Sequence, residues 1–475
     1  MKIGLVGATA LAVGGLTAGA LPTGRPFYLS PAVRHEFGLP AAGMVCAVAG
    51  LVVLVGAWLR LRPALAGQPR RALAVLACWT APLVLAPPLV LAPPLFSRDV
   101  YSYLAQGALV GRGLDAYAVG PAALGGNPLV AQVHPLWLST PAPYGPVFLG
   151  LAAAVVGVTG THLVAGVLGM RAVALASVVT LAYVVPRLAV RYRVDPGRAL
   201  WLGVLNPLVL VHGVAGGHND LLMVALLMTG LLLASGGRFA AAVVLVTLAA
   251  LVKAPAALAL CCLAPMWPGR WLSSGRWRSS GRWLSSGRWR SSGRHRRHRC
   301  RRRCHGRRRH RGHRAGTRLA ARCVAAWLRR DRLGLPAAVG LALGAVVLLG
   351  PVVHPWYLLW AVVPLAAGTH LARGAVGLSA VLSLVLLPHG VAVTPRGFAE
   401  ALVGLGIGSA VLALGQVLQR QPVPVDAQPA DDPGRDGGDH RMVPELLPRV
   451  DVGDVHLDER TVQQRARVAD RVRVV

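Results

Sequence analysis

Residues 72–95 read ALAVLACWTAPLVLAPPLVLAPPL and pass without a charge into Phe96-Ser97-Arg98-Asp99-Val100-Tyr101-Ser102-Tyr103. An uncharged apolar run of that length is what a helix needs to cross a bilayer. Similar runs recur, and spans are expected near 3–22, 40–60, 72–95, 163–186, 199–215, 220–235, 333–353, 357–368, 374–392 and 398–418. A chain in lipid must satisfy its backbone polar groups internally, and long apolar runs do so as helices. The fold class is therefore all-α, a polytopic transmembrane protein with about 10–12 membrane helices. The first run, Met1 to Ala20, has signal-peptide features, but the multi-span chain behind it favours a retained first helix.

Composition agrees. The 475 residues are 54% apolar with a mean hydropathy of +0.54, and only 14% are charged. The formal net charge of +32 is unevenly spread: nineteen arginines and no acid lie between Gly269 and Arg318. That leaves about +13 elsewhere, mostly in short loops beside apolar runs, where it orients helices rather than binding nucleic acid. Seven cysteines without a spacing pattern give no disulfide framework.

Arginine placement sets the sides. Arg60, Arg62, Arg70 and Arg71 flank one loop, and Arg187, Arg191, Arg193 and Arg198 another. Putting these in the cytoplasm places both termini inside a bacterial plasma membrane and the loop from Phe96 to about His162 outside. Two segments resist simple spanning. Residues 146–160 are apolar but short, which points to a re-entrant or surface-lying helix. Residues 239–267 are too long for one comfortable span and are interrupted at Lys253-Ala254-Pro255. Proline removes a helix hydrogen bond and disfavours helix before it, so either two half-helices meet near Lys253 or one helix kinks there.

Four units follow: a transmembrane core over 1–268 containing the outer loop 96–162, a low-complexity insertion over 269–332, a second core part over 333–419, and a tail over 420–475. The insertion opens with a GRWLSS/GRWRSS repeat and becomes an Arg/His run whose dense like charge and low hydrophobicity favour disorder. As a cytoplasmic loop beside a bilayer, its nearest partner is anionic lipid headgroups rather than a specific nucleic acid. The Pro- and Asp-rich tail is also expected to be disordered.

Residues 1–419 hold only seven carboxylates: Glu36, Asp99, Asp115, Asp195, Asp220, Asp331 and Glu400. Charges at membrane boundaries are costly and mark function. Asp99 sits among an arginine, two tyrosines and a serine, a setting suited to a hydroxyl-rich substrate. Its loop also carries Asp115, His134 and Tyr144. Gly217-His218-Asn219-Asp220 and His354-Pro355-Trp356-Tyr357 form two more polar clusters expected on the same side. A lysine is itself a signal here, since Lys2 and Lys253 are the only two in the chain.

The ordered series FSRDVYSYLAQGALV, GLDAYAVGP, HPLWLSTPAPYGPVF, NPLVLVHGVAGGHNDLLM, LVKAPAAL and HPWYLLW resembles the actinobacterial polyprenyl-phosphomannose-dependent α-(1→6)-mannosyltransferases, which are GT-C enzymes. The series covers about residues 90–365, and the insertion and tail lie outside the pattern. The resemblance implies a multi-pass GT-C fold, a polyprenyl-phosphate mannose donor, a lipid-anchored mannan acceptor and an acidic residue in the first large outer loop, here Asp99. Glycosyl transfer needs a base for the acceptor hydroxyl and positive charge for the leaving phosphate. Asp99 is the expected base. Arg98, Lys253 and Arg396 are the expected phosphate ligands. Tyr101, Tyr103, Asp115, His134, Tyr144, His218, Asn219, Asp220, His354 and Trp356 are the expected substrate contacts. No metal and no cofactor is expected, because the spacing of acids and histidines specifies no site. Two alternatives stand beside this reading: a GT-C transferase for arabinose or glucose, and a transporter of lipid-linked sugars.

Overall fold

A computed structural model describes residues 1–22, 39–85, 93–264, 334–350, 354–370, 373–384 and 395–420. The Arg/Trp insertion and the C-terminal tail therefore lie outside the described residues. Among the described residues the secondary structure is helical, with no strand.

The chain opens with α1 (Lys2–Ala18), α2 (Leu39–Leu61) and α3 (Pro69–Leu85). α1 and α2 meet along glycines. A Cβ on Gly7 would collide with the Gly50 carbonyl and the Leu54 backbone, and one on Gly14 with the Gly43 carbonyl and Ala47. Small residues let helices approach closely in lipid, where packing replaces the hydrophobic drive. α4 (Asp99–Gly111) follows, then α5 (Pro146–Thr159), α6 (Leu163–Arg191) and α7 (Pro196–Gly203). A π-helical segment (Val209–Ala215) leads to α8 (Asp220–Ser235). Then come α9 (Phe239–Val252), α10 (Leu258–Leu263), α11 (Leu335–Leu349), α12 (Leu359–Gly368), α13 (Arg373–Leu384) and α14 (Pro395–Arg420).

Among the described residues, three helical stretches are long and apolar enough to cross a membrane: Leu39–Leu61, Leu163–Arg191 and Ala399–Gln416. A fourth arises if Val209–Ala215 and Asp220–Ser235, bent by 110°, form one broken span. The described residues also hold seven shorter apolar helices of 10–17 residues. This is an all-α polytopic membrane protein, many of whose helices are short. α5 is one of them: its 14 residues extend only about 21 Å, less than a hydrocarbon core.

One expected span is corrected. The single helix anticipated over 199–215 is divided, because α7 stops at Gly203. Pro207 has no N–H to donate. The buried Asn206 side chain replaces helical bonds, donating to the Leu202 carbonyl and Ser379 Oγ and accepting from Leu208 N–H. At the other ambiguous segment the chain breaks rather than kinks. α9 ends at Val252, Lys253 is extended (φ −154°, ψ 121°), and a 3₁₀ turn (Ala254–Ala257) leads into α10. α10 packs against α11, although the whole insertion lies between them in sequence.

Two tryptophans staple α2 to α7. Trp58 Nε1 donates to the Trp201 carbonyl at 2.9 Å, Trp201 Nε1 returns the bond to the Trp58 carbonyl at 2.8 Å, and the rings stack at 4.7 Å. Losing one member strands a buried carbonyl, which costs about 1–3 kcal/mol. Trp58→Phe and Trp201→Phe are each expected to lower thermal stability in detergent. The double variant should lose clearly less than the sum of the two, as residues in contact do; strict additivity would show that the two bonds are independent.

Candidate active site

The start of α4 is braced from several directions. Phe96 turns the chain at φ 56°, a conformation unfavourable for a bulky residue. Arg98 holds the turn, donating from Nε to the Gln132 carbonyl (2.9 Å) and from Nη1 to the Leu21 carbonyl (3.0 Å). Tyr101 Oη donates to the Ala20 carbonyl at 2.7 Å and lies under the Arg98 guanidinium. Arg171 of α6, buried, donates to the Pro93 carbonyl. These bonds position Asp99 as the first residue of α4, with its N–H on Ser97 Oγ (3.1 Å). A carboxylate there gains from the helix dipole. Asp220 likewise opens α8, and Lys253 caps the C-terminus of α9, where a cation is favoured.

The three polar clusters separated in sequence meet here. His218 Nδ1 lies 3.3 Å from Asp99 Oδ2, an ion-pair contact without the alignment of a full hydrogen bond. The His218 ring stacks on Trp356 at 3.9 Å, and His354 stacks on it at 4.4 Å with the planes 4° apart. Trp356 is thus engaged by three imidazoles, the third being the tilted ring of buried His212 at 5.4 Å. Lys253 Nζ bonds Asp220 Oδ1 at 2.8 Å, and Trp360 Nε1 donates to the same oxygen at 2.6 Å. Tyr357, stacked on Trp360, lies 4.6 Å from the Lys253 ammonium, and Tyr144 lies 5.9 Å from it. Gly145 links the outer segment to the break. Its N–H bonds the Val252 carbonyl, and any Cβ there would strike the Leu251 carbonyl.

The two carboxylates differ in access. The Asp99 side chain is 22% exposed, whereas that of Asp220 is 1% exposed. Burial raises the Asp99 pKa, but the His218 contact and the charges of His218, Lys253 and His354 outweigh it and leave the carboxyl below its ordinary value. Tyr103 and Tyr144 meet edge to face at 5.1 Å; burial first, then the Tyr144 phenol and nearby acids for Tyr103, and Asp99 and Asp220 for Tyr144, push both phenols far up, so they stay neutral donors. Burial chiefly lowers the His354 pKa. His218 therefore helps keep Asp99 ionised. His218→Asn is expected to move the acidic limb of the kcat/KM profile to higher pH, because the raised Asp99 pKa removes the carboxylate sooner as pH falls. An unmoved limb would show that Asp99 titrates independently of His218.

Other expected site residues lie elsewhere in the local architecture. Asp115 Oδ1 accepts Tyr117 N–H, and His134 Nδ1 accepts Leu136 N–H; both bonds shape turns of the outer segment. Arg98 and Tyr101 bond scaffold carbonyls, as above. Asn219 is buried next to His218 and Asp220, and its amide atoms have no hydrogen-bond partner among the described residues. Arg396 falls in the first turn of α14, and its side chain lies outside the described residues. Sequence reasoning does not reach Trp360; its four-residue offset from Trp356 on a helix is the available signal. Among the described residues, no three His, Cys, Asp or Glu side chains gather as a metal cluster would.

The sequence profile of the family described as alpha-(1->6)-mannopyranosyltransferase, N-terminal domain, matches residues 1–269, and that of the MptB C-terminal domain matches residues 314–416. The chain belongs to this family. Alpha-(1->6)-mannopyranosyltransferase B of Corynebacterium glutamicum is 30% identical over 87% of this chain and 80% of its own length. A probable alpha-(1->6)-mannopyranosyltransferase of Mycolicibacterium smegmatis is 31% identical over 77% of this chain and 78% of its own. Alpha-(1->6)-mannopyranosyltransferase A of Mycobacterium tuberculosis is 41% identical over 56% of this chain, but the match spans only 51% of that relative. No solved structure matches. The profiles of this mannopyranosyltransferase family thus cover all four site segments: the start of α4, the turn before α8, the Lys253 break and the His354–Trp360 stretch.

Proposed function

We propose that this chain is an integral membrane mannosyltransferase that moves mannose from polyprenyl-phosphate mannose to a growing α-(1→6)-mannan on a lipid anchor. The observation that carries the reading is Asp99: a partly exposed carboxylate at a helix start, held against His218, with Lys253 in electrostatic reach. The acceptor's 6-hydroxyl oxygen attacks the anomeric carbon while Asp99 takes its proton. The bond from that carbon to the phosphate oxygen breaks, and the electron pair leaves with polyprenyl phosphate. Attack opposite the leaving group converts a β-linked donor into an α-linked product in one displacement, with no covalent sugar intermediate. The growing negative charge on the leaving phosphate calls for a nearby cation, and Lys253 is assigned that role. Tyr103, Tyr144 and His354 are assigned to sugar hydroxyls, and the sugar-facing side of the site is extracytoplasmic.

Membranes carrying the protein, given radiolabelled polyprenyl-phosphate mannose and an α-(1→6)-mannoside acceptor, are expected to yield labelled product that an α-(1→6)-specific mannosidase degrades. Movement of donor across the membrane without product would instead establish a transporter. Product formed only from arabinose- or glucose-charged donors would reassign the sugar.

A further inference from the structure

Asp220 is the most deeply enclosed carboxylate of the site, and it is not placed to meet a substrate. Its side chain is 1% exposed, and Lys253 Nζ and Trp360 Nε1 both donate to its Oδ1, at 2.8 and 2.6 Å. Oδ2 is buried and has no hydrogen-bond partner among the described residues. Two donors on one oxygen fix the rotation of the carboxylate. Trp360 is itself fixed: it is 4% exposed, belongs to α12 and stacks on Tyr357 at 4.3 Å. Tyr357 and Trp360 then present their rings to the ammonium at 4.6 and 5.2 Å, a range in which cation–π attraction operates.

Lys253 comes from a different element. It is extended between α9 and a 3₁₀ turn, so its own helix does not fix its side chain. A four-carbon stem with rotatable donors has much freedom to lose. We propose that Asp220 and Trp360 act as positioning residues, clamping the Lys253 ammonium beside Asp99 so that it needs no reorganisation when the donor's phosphate arrives. The inference rests on the reading of Lys253 as the phosphate's cation. It reassigns Asp220 from a sugar contact to a counter-ion, and it gives Trp360 a role through Lys253 rather than on the substrate.

The chain's composition supplies a direct test, because Lys253 and Lys2 are its only lysines. Intact protein in membranes is treated with N-hydroxysuccinimidyl acetate, and Lys253 acetylation relative to Lys2 is read by mass spectrometry. Trp360→Phe keeps a ring but removes the N–H; Asp220→Asn keeps the shape but removes the charge. Each is expected to raise the Lys253 labelling ratio at least threefold. In the transfer assay Trp360→Phe is expected to lower kcat about tenfold while the KM for polyprenyl-phosphate mannose changes less than threefold. An unchanged labelling ratio in both variants overturns the clamp. A raised ratio with an unchanged kcat supports the clamp and overturns instead the assignment of Lys253 to the leaving phosphate.

Discussion

Asp99→Asn is expected to abolish mannosyl transfer, lowering kcat by about a thousandfold or more, while the protein still inserts and keeps its thermal stability. General-base removal typically costs ~10²–10⁴-fold, and Asn retains the shape without accepting a proton. The substitution is also mild for the fold. The Asp99 side chain is partly exposed, and among the described residues His218 is its one contact at ion-pair distance, so the amide gives up a single contact. The bonds that set the start of α4, Asp99 N–H to Ser97 Oγ and the Arg98 guanidinium to the Gln132 and Leu21 carbonyls, do not use the Asp99 carboxyl and survive. Donor affinity should change little, since the base meets the acceptor rather than the phosphate. An Asp99→Asn protein with near-normal kcat would remove Asp99 from the chemistry and with it the mechanism proposed above.

Lys253→Met is expected to fail in two separable ways. Its removal leaves the Asp220 carboxylate buried without a cation, and breaking a buried pair costs about 3–5 kcal/mol. It also removes the charge that stabilises the leaving phosphate, worth ~10²–10³ in kcat for comparable electrostatic groups. The single variant should therefore show reduced stability and negligible activity. In the double variant Lys253→Met/Asp220→Asn, the amide oxygen still accepts the Trp360 N–H and no charge is stranded. Thermal stability should recover to within a few degrees of the parent, and transfer should remain depressed at least a hundredfold. Recovery of both would mean that Lys253 serves the fold alone.

The parts of this architecture that were legible in the sequence are those where physics acts on one segment at a time. The apolar runs at α2 and α6 announce themselves because lipid demands length and apolarity in a single stretch. Asp99, Asp220 and Lys253 stand out because charge is rare in such a chain. The division of the 199–215 run did not show, since hydropathy is uniform across it and the break depends on Asn206 finding Ser379 far along the chain. Trp360 was equally hidden, because tryptophan is common at membrane boundaries and this one matters through Asp220, 140 residues earlier. The roles anticipated for Arg98 and Tyr101 were drawn from their position beside Asp99. Adjacency in sequence says nothing about direction, and on a helix start these two side chains address the end of α1 instead.

The packing of α10 on α11 bears on the insertion between them. These two helices lie on either side of the insertion in sequence, and they face each other. The family's two profiles also end and begin on either side of that gap, at residues 269 and 314. Residues 270–313, fall outside both. A change in the length of this junction is expected to leave the two parts joined, because the seam is closed by α10 and α11, which flank the insertion without being part of it. Deleting residues 269–318 is expected to leave that contact and catalysis largely intact, and loss of activity with normal membrane insertion would give the tract a role of its own.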